Sequence, residues 1–157
     1  MKNTLSLIIF LLVSILGYCQ PKIIAHRGFW NAENTAQNCV SSLYKAYEYG
    51  CYGSEFDVYM TKDSVLFLNH DDVINGKRIE ECTYTEISDI RLGNGELMPT
   101  LEQFFIHAKN CPGMKLILEA KPHTGKERET SMAEKIVRMV EHFDLHDRVE
   151  YISFSEH

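Results

Sequence analysis

Residues 53–70, Gly-Ser-Glu-Phe-Asp-Val-Tyr-Met-Thr-Lys-Asp-Ser-Val-Leu-Phe-Leu-Asn-His, contain two strand-like runs in close succession. Gly53–Val58 reads as a strand that continues into Val58–Met60, and Val65–Asn69 is strand-like again, with only Thr61–Ser64 between them. A link that short cannot be a parallel crossover, so the two runs form an antiparallel hairpin. With Asp63 and Ser64 as the turn, residue 62 pairs with 65 and Asp57 lies opposite His70, their Cβ atoms about 5 Å apart. The hairpin and the polar region after it, residues 58–98, read as an insertion.

Outward from this segment the chain alternates strand and helix. Upstream, Lys22–Gly28 is a strand, and Thr35–Tyr49 is a helix closed by Gly50. Downstream, Pro99 and Thr100 open a helix through Ala108, with Leu101, Phe104, Phe105 and Ala108 on one face. Met114–Ala120 is the third strand, Thr130–Phe143 a helix with an Ala133, Ile136, Val137, Val140 stripe, and Arg148–Ser155 the fourth strand. Alternation of this kind predicts an α/β fold with a parallel sheet.

Composition narrows the class. The 157 residues are 45% hydrophobic and 24% charged, which excludes a disordered tail or a fibre. Sixteen basic against twenty-two acidic residues give a net charge of -6, without a Lys/Arg cluster, which argues against a nucleic-acid partner. Lys2, the apolar run Leu5–Leu16 and Gly17 two residues before Cys19 form a secretory leader, residues 1–19, leaving 20–157 as the mature domain. A run of twelve residues, apolar but for Ser6 and Ser14, is short for a membrane span, and Tyr18 is bulky where a lipoprotein signal needs a small residue. The expected location is periplasmic or extracellular. Cys39, Cys51, Cys82 and Cys111 form no C-x-x-C pair, so buried free thiols are expected rather than structural zinc.

Four constellations carry chemistry. His26-Arg27-Gly28 ends the first strand and sets a proton shuttle beside a planar phosphate clamp. Glu55 and Asp57 share one strand face, and two convergent carboxylates call for a cation, Mg²⁺ or Ca²⁺. His70-Asp71-Asp72 follows the hairpin's return, and Glu119-x-Lys121 ends the apolar run Leu116-Ile117-Leu118. By contrast, His142 and His146 read as solvated surface. Gly93-Asn94-Gly95 lacks the third glycine of a dinucleotide loop, and a G-x-S-x-G elbow is absent.

Taken in series, His26-Arg27-Gly28, Glu33-Asn34-Thr35, Glu55-x-Asp57, Thr61-Lys62-Asp63, His70-Asp71, Pro99-Thr100-Leu101-Glu102 and Glu119-x-Lys121 resemble the glycerophosphodiester phosphodiesterase family over about residues 22–155. The resemblance implies a (β/α)8 TIM barrel of the PLC-like phosphodiesterase type, here truncated to about the first four β/α units, with the insertion after strand two. It implies that Glu55, Asp57 and Glu119 ligate one divalent cation, Ca²⁺ or Mg²⁺. Arg27 and Lys121 resemble phosphate contacts, His26 and His70 the acid–base pair, and Glu33 the residue orienting Arg27. The implied reaction hydrolyses small glycerophosphodiesters to glycerol 3-phosphate and an alcohol, in phospholipid-derived glycerol metabolism. Rival readings are an inactive metal-binding fragment and a related PLC-like or sphingomyelinase-D-like phosphodiesterase. A half barrel standing alone would dimerise to cover its edges. Two positions depart from the family pattern: Ala32 stands where a proline usually precedes Glu33, and Ser64 replaces the usual turn glycine.

Overall fold

The strand that opens the deciding segment is the centre of the molecule. In the computed structural model, which describes residues 21–156, β2 (Gly53–Met60) is buried at every residue. It pairs in parallel with β6 (Lys115–Ala120) from Gly53↔Lys115 to Val58↔Ala120. Its other edge is shared. The two-residue strand β1 (Ile24–Ala25) pairs in parallel at Gly53 and Ser54, and β3 (Leu66–Leu68) pairs antiparallel at Val58 to Met60. Beyond β6, β7 (Val149–Ile152) adds a fourth parallel strand, giving the order β1-β2-β6-β7. Among the described residues no strand pairs with the outer edge of β7.

Helices connect the parallel strands as the alternation predicts, with shifted ends. The first helix, α1 (Val40–Glu48), begins five residues later than expected, because Asn38 takes a left-handed φ of 57° and Cys39 becomes the N-cap. Residues 35–39 are spent instead on contacts described below. After the short α2 (Tyr84–Ile87), helix α3 (Leu101–Ala108) starts where Pro99-Thr100 predicts it: the Thr100 hydroxyl accepts from the Gln103 N–H, and Gln103 reaches back to the Thr100 N–H. The last helix, α4 (Lys126–His142), begins four residues early, with Gly125 as its N-cap. Its buried stripe is Met132, Ile136 and Val140. Ala133 and Val137 are exposed and line a groove with Tyr151 and Ile152, so the expected stripe is rotated by one position.

Two hydrophobic clusters hold these elements. The larger lies between the sheet and the helices, where Phe56 sits 4.5 Å, centroid to centroid, from Phe104 and edge-on to Phe105. Burying such a ring stabilises the fold by about 1.5–3 kcal/mol. The smaller cluster, Tyr59, Phe67, Ile79, Cys82, Ile87 and Met98, lies under the insertion, where β4 (Val73–Ile74) and β5 (Lys77–Arg78) form a separate ribbon. The four described cysteines are free thiols, as expected. The leader, residues 1–19, lies outside the described residues.

The hairpin forms, but its register differs from the expected one. The turn is a three-residue loop, Lys62-Asp63-Ser64: the Thr61 N–H donates to the Val65 carbonyl, and Ser64 adopts a left-handed φ of 66°. Val58 therefore pairs with Leu68, and the Asn69 N–H donates to the Asp57 carbonyl at 3.2 Å. Asn69, not His70, lies alongside Asp57. A one-residue difference in turn length moves every later side chain to the opposite face.

Candidate active site

Parallel pairing brings the acidic residues together before any ligand is considered. Asp57 and Glu119 are register partners on β2 and β6, so their side chains project side by side, and Glu55 lies two residues back on the same face of β2. One carboxylate oxygen from each of the three lies within 4.8 Å of the others, and all three residues are buried. The sequence expectation that Glu55, Asp57 and Glu119 converge is met.

The turn after β1 supplies positive groups to this cluster. Arg27 and Gly28 adopt successive left-handed conformations, φ 57° and 77°. The Arg27 N–H donates to Glu55 Oε2 at 2.6 Å, and the Gly28 N–H donates to the Glu55 carbonyl at 3.0 Å. Glycine is required at 28 twice over: its φ is left-handed, and an added Cβ would lie 2.3 Å from the Ser42 hydroxyl. The Arg27 guanidinium donates from Nη1 to Gln37 Oε1 at 2.8 Å, and its Nε lies 3.7 Å from Asp57 Oδ2. Glu33, expected to orient Arg27, is exposed, and Gln37 is the hydrogen-bond partner.

Asn38 was not singled out in the sequence, yet it holds the centre of the site. Its carboxamide nitrogen donates to Asp57 Oδ2 at 2.8 Å, and its oxygen accepts from the Asp57 backbone N–H at 3.0 Å. The contact expected of Glu33 is thus made four residues later by Gln37, while Asn38 holds Asp57 and Cys39 caps α1.

Lys121 directly follows β6, two residues beyond Glu119. Its ammonium lies 2.8 Å from Asp57 Oδ1 and 2.6 Å from Glu119 Oε1, so in this structure it faces carboxylates. Buried His123 ties the same strand ends together. Its Nε2 accepts from the Met60 N–H at 3.1 Å and its Nδ1 lies 2.9 Å from the Lys121 carbonyl, contacts that a proton on Nδ1 satisfies. The two catalytic candidates sit at the rim. His26 is exposed, with Nε2 3.9 Å from Glu55 Oε2. His70 follows Asn69 at the end of the hairpin, with Nδ1 2.7 Å from Asp71 Oδ1.

The donor set fits a hard divalent cation. Among the described residues, Glu55 Oε1, Asp57 Oδ1 and Glu119 Oε1 are all buried and find no hydrogen-bond partner of good geometry, and the latter two lie against the Lys121 ammonium. Buried carboxylate oxygens aimed at one another are costly unless a cation shares them. The strain shows in Glu55. Burial, reinforced by the charges of Asp57 and Glu119 and opposed by the Arg27 N–H and Lys121, pushes its carboxyl up to about 7.

Known proteins resemble this chain in sequence and fold. A glycerophosphodiester phosphodiesterase from Caldanaerobacter subterraneus subsp. tengcongensis is 26% identical over 147 residues, covering 86% of this chain and 58% of the relative. The crystal structure of a glycerophosphodiester phosphodiesterase from Parabacteroides distasonis superposes with a TM-score of 0.84 at 49% identity, over 86% of this chain and 57% of that one. A phosphodiesterase from Oleispira antarctica, solved in complex with the product sn-glycerol-3-phosphate, superposes at 0.73 with 27% identity over 87% of this chain and 58% of that one. The chain thus spans rather more than half of each, consistent with a barrel truncated to its first β/α units. The Glycerophosphoryl diester phosphodiesterase family model matches residues 26–156, from the His26 turn through every acidic residue of the site, and on that match the chain belongs to this family.

Proposed function

We propose that the chain carries the metal and phosphate subsites of an exported enzyme that hydrolyses glycerophosphodiesters to glycerol 3-phosphate and an alcohol. The observation that carries the reading is the convergence of three buried carboxylates, Glu55, Asp57 and Glu119, with Arg27 set against Asp57. Those three residues would hold one divalent cation, Mg²⁺ or Ca²⁺. When bound, it supplies a Lewis acid that offsets the charge of a phosphodiester and of its transition state.

The protein groups account for the rest. Arg27, fixed by Gln37, presents a guanidinium to the non-bridging oxygens and stabilises charge as it develops. His26, exposed at the rim beside Glu55, takes the proton from the attacking oxygen, which is water or the neighbouring hydroxyl of the substrate's glycerol. His70, oriented by Asp71, returns a proton to the departing alcohol. Export rests on the leader pattern of residues 1–19, and N-terminal sequencing of the secreted chain would read cleavage after Cys19.

The test uses glycerophosphocholine as substrate, with and without EDTA. Chelation should abolish turnover and added Mg²⁺ or Ca²⁺ restore it, while His26→Ala and His70→Ala should each lower kcat by roughly 10²–10⁴-fold. Full turnover by both histidine variants would sink the assignment.

A further inference from the structure

We propose that Asn94 and Glu96, at the tip of the insertion, are positioning residues: they clamp the segment carrying Gln37 and Asn38, and so hold Arg27 and Asp57 in place. The inference deepens the reading of the site given above, and its cation measurement rests on that reading.

Residues 34–41 carry the contacts that fix the site, yet their own conformation is a costly one. Asn34 and Asn38 both take left-handed φ angles, 61° and 57°. Non-glycine residues keep that conformation where surrounding contacts enforce it. On one side the segment is tied to the turn after β1: the Asn38 N–H donates to the Arg27 carbonyl at 3.0 Å, and the Phe29 N–H to the Ser42 carbonyl at 2.9 Å. Helix α1, which follows, starts weakly. Its N-cap is the Cys39 thiol, which accepts from the Ser42 N–H at 3.4 Å, and its first turn holds no acidic residue. Sulfur is a weak acceptor.

The insertion supplies what is missing on the other side. Its Gly93-Asn94-Gly95 tip is a tied loop. The Leu92 N–H donates to the Glu96 carbonyl and the Gly95 N–H to the Leu92 carbonyl, both at 2.8 Å. Arg91 Nη1 donates to the Gly95 carbonyl at 2.7 Å, and Ile90 and Leu92 pack on the second cluster. From this anchored tip the Asn94 carboxamide nitrogen lies 3.2 Å from the Asn34 carbonyl, 3.1 Å from Ser41 Oγ and 2.6 Å from Glu96 Oε1. It therefore links both ends of the segment to the insertion. Glu96 Oε2 accepts from the Ser41 N–H at 3.4 Å. A carboxylate 55 residues away in the chain thus stands at the positive end of α1, where α1 has none of its own. The contacts run without a gap: Asn94 and Glu96 grip Asn34 and Ser41, and between these Gln37 and Asn38 grip Arg27 and Asp57.

Amide hydrogen exchange by NMR, in EDTA, tests the clamp without turnover or metal. It compares wild type with Asn94→Ala, Glu96→Ala and Glu86→Ala. Glu86 caps α2 in the same insertion through Thr83, so its variant controls for general loosening. The Asp57 N–H donates to Asn38 Oδ1, and the Leu116 N–H to the Arg148 carbonyl on the far side of the sheet. Relative to Leu116, Asp57 should lose protection by about tenfold in the Asn94 and Glu96 variants. Glu86→Ala should leave that ratio unchanged. Glu96→Gln keeps an acceptor for the Ser41 N–H and should restore part of the protection. Should the alanine variants not fold, Asn94→Asp removes the same donor at equal size and takes their place. By titration calorimetry, Mg²⁺ affinity should fall by about tenfold in the Asn94 and Glu96 variants and stay at the wild-type value in Glu86→Ala. An unchanged Asp57-to-Leu116 ratio, an equal change in Glu86→Ala, or unaltered Mg²⁺ affinity in both clamp variants overturns the inference. A wild-type chain that binds no divalent cation sinks the metal reading alone, and exchange at Asp57 then decides the clamp by itself.

Discussion

At the residue scale the site is held by groups that never face a substrate. Asn38 satisfies both the backbone and the outer carboxylate oxygen of Asp57 from a left-handed conformation that asparagine tolerates better than most residues. Asn38→Ala leaves two buried polar atoms of Asp57 without these partners. We expect a loss of about 2 kcal/mol in unfolding free energy by urea denaturation and cation affinity lower by roughly 10–100-fold in calorimetry. Glu55 makes a pH prediction. In the cation-free chain its folded-state pKa is raised from the ordinary value of 4.5 to about 7, so over that window the folded state holds a proton that the unfolded state has lost. Its stabilising contribution is fully present below 4.5 and is lost as pH rises through about 7. Thermal melts in EDTA should therefore fall over that range, and Glu55→Gln should flatten the profile. Cation affinity should run the other way, rising with pH as the carboxylate ionises.

At the element scale the decisive piece is the β2–β3 hairpin, whose three-residue loop places Asn69 beside Asp57 and directs His70 to the rim. Ser64 occupies the left-handed position of that loop. Relief of its steric cost by glycine exceeds the added entropy of the unfolded chain. Ser64→Gly should thus stabilise by roughly 0.5–1 kcal/mol, read as a small rise in melting temperature with the cation affinity unchanged. The same loop shows why local reading failed here. Two- and three-residue turns accept similar sequences, and the choice was settled by the second cluster, where Tyr59 and Phe67 both pack under the insertion. Helix α1 is the parallel case: propensity allows a start at Thr35, but Gln37 and Asn38 are committed to Arg27 and Asp57. For α3 no competing contact intervenes, and the Thr100 cap falls where the sequence puts it.

On the scale of the whole molecule, the four parallel strands of the described residues leave two edges unpaired, and apolar groups stand at both. Ile23 and Ile24 are exposed at β1, and Tyr151, Ile152 and Phe154 at and beyond β7. Ala133 and Val137 continue the second patch across α4. Exposed strand edges of this character pair with other chains. Residues 20–157 purified alone should therefore scatter light as a species heavier than a monomer. Tyr151→Lys should shift it toward monomer; a wild-type chain that stays monomeric at high concentration would contradict this.

Alternation of apolar strands with amphipathic helices and the spacing Glu55-x-Asp57 were sufficient to read the α/β class and one convergent carboxylate pair directly from the chain, because strand period and helix period are local properties; that Glu119 joins the pair was implied by the family resemblance and depends on the β2–β6 register. Which residues serve those carboxylates was not local. Gln37, Asn38 and His123 bear no motif of their own, and their roles arise only when β1, β2 and β6 lie side by side. The partner of Lys121 was likewise a matter of register: pairing Asp57 with Glu119 across two strands placed two buried negative charges within reach of one ammonium.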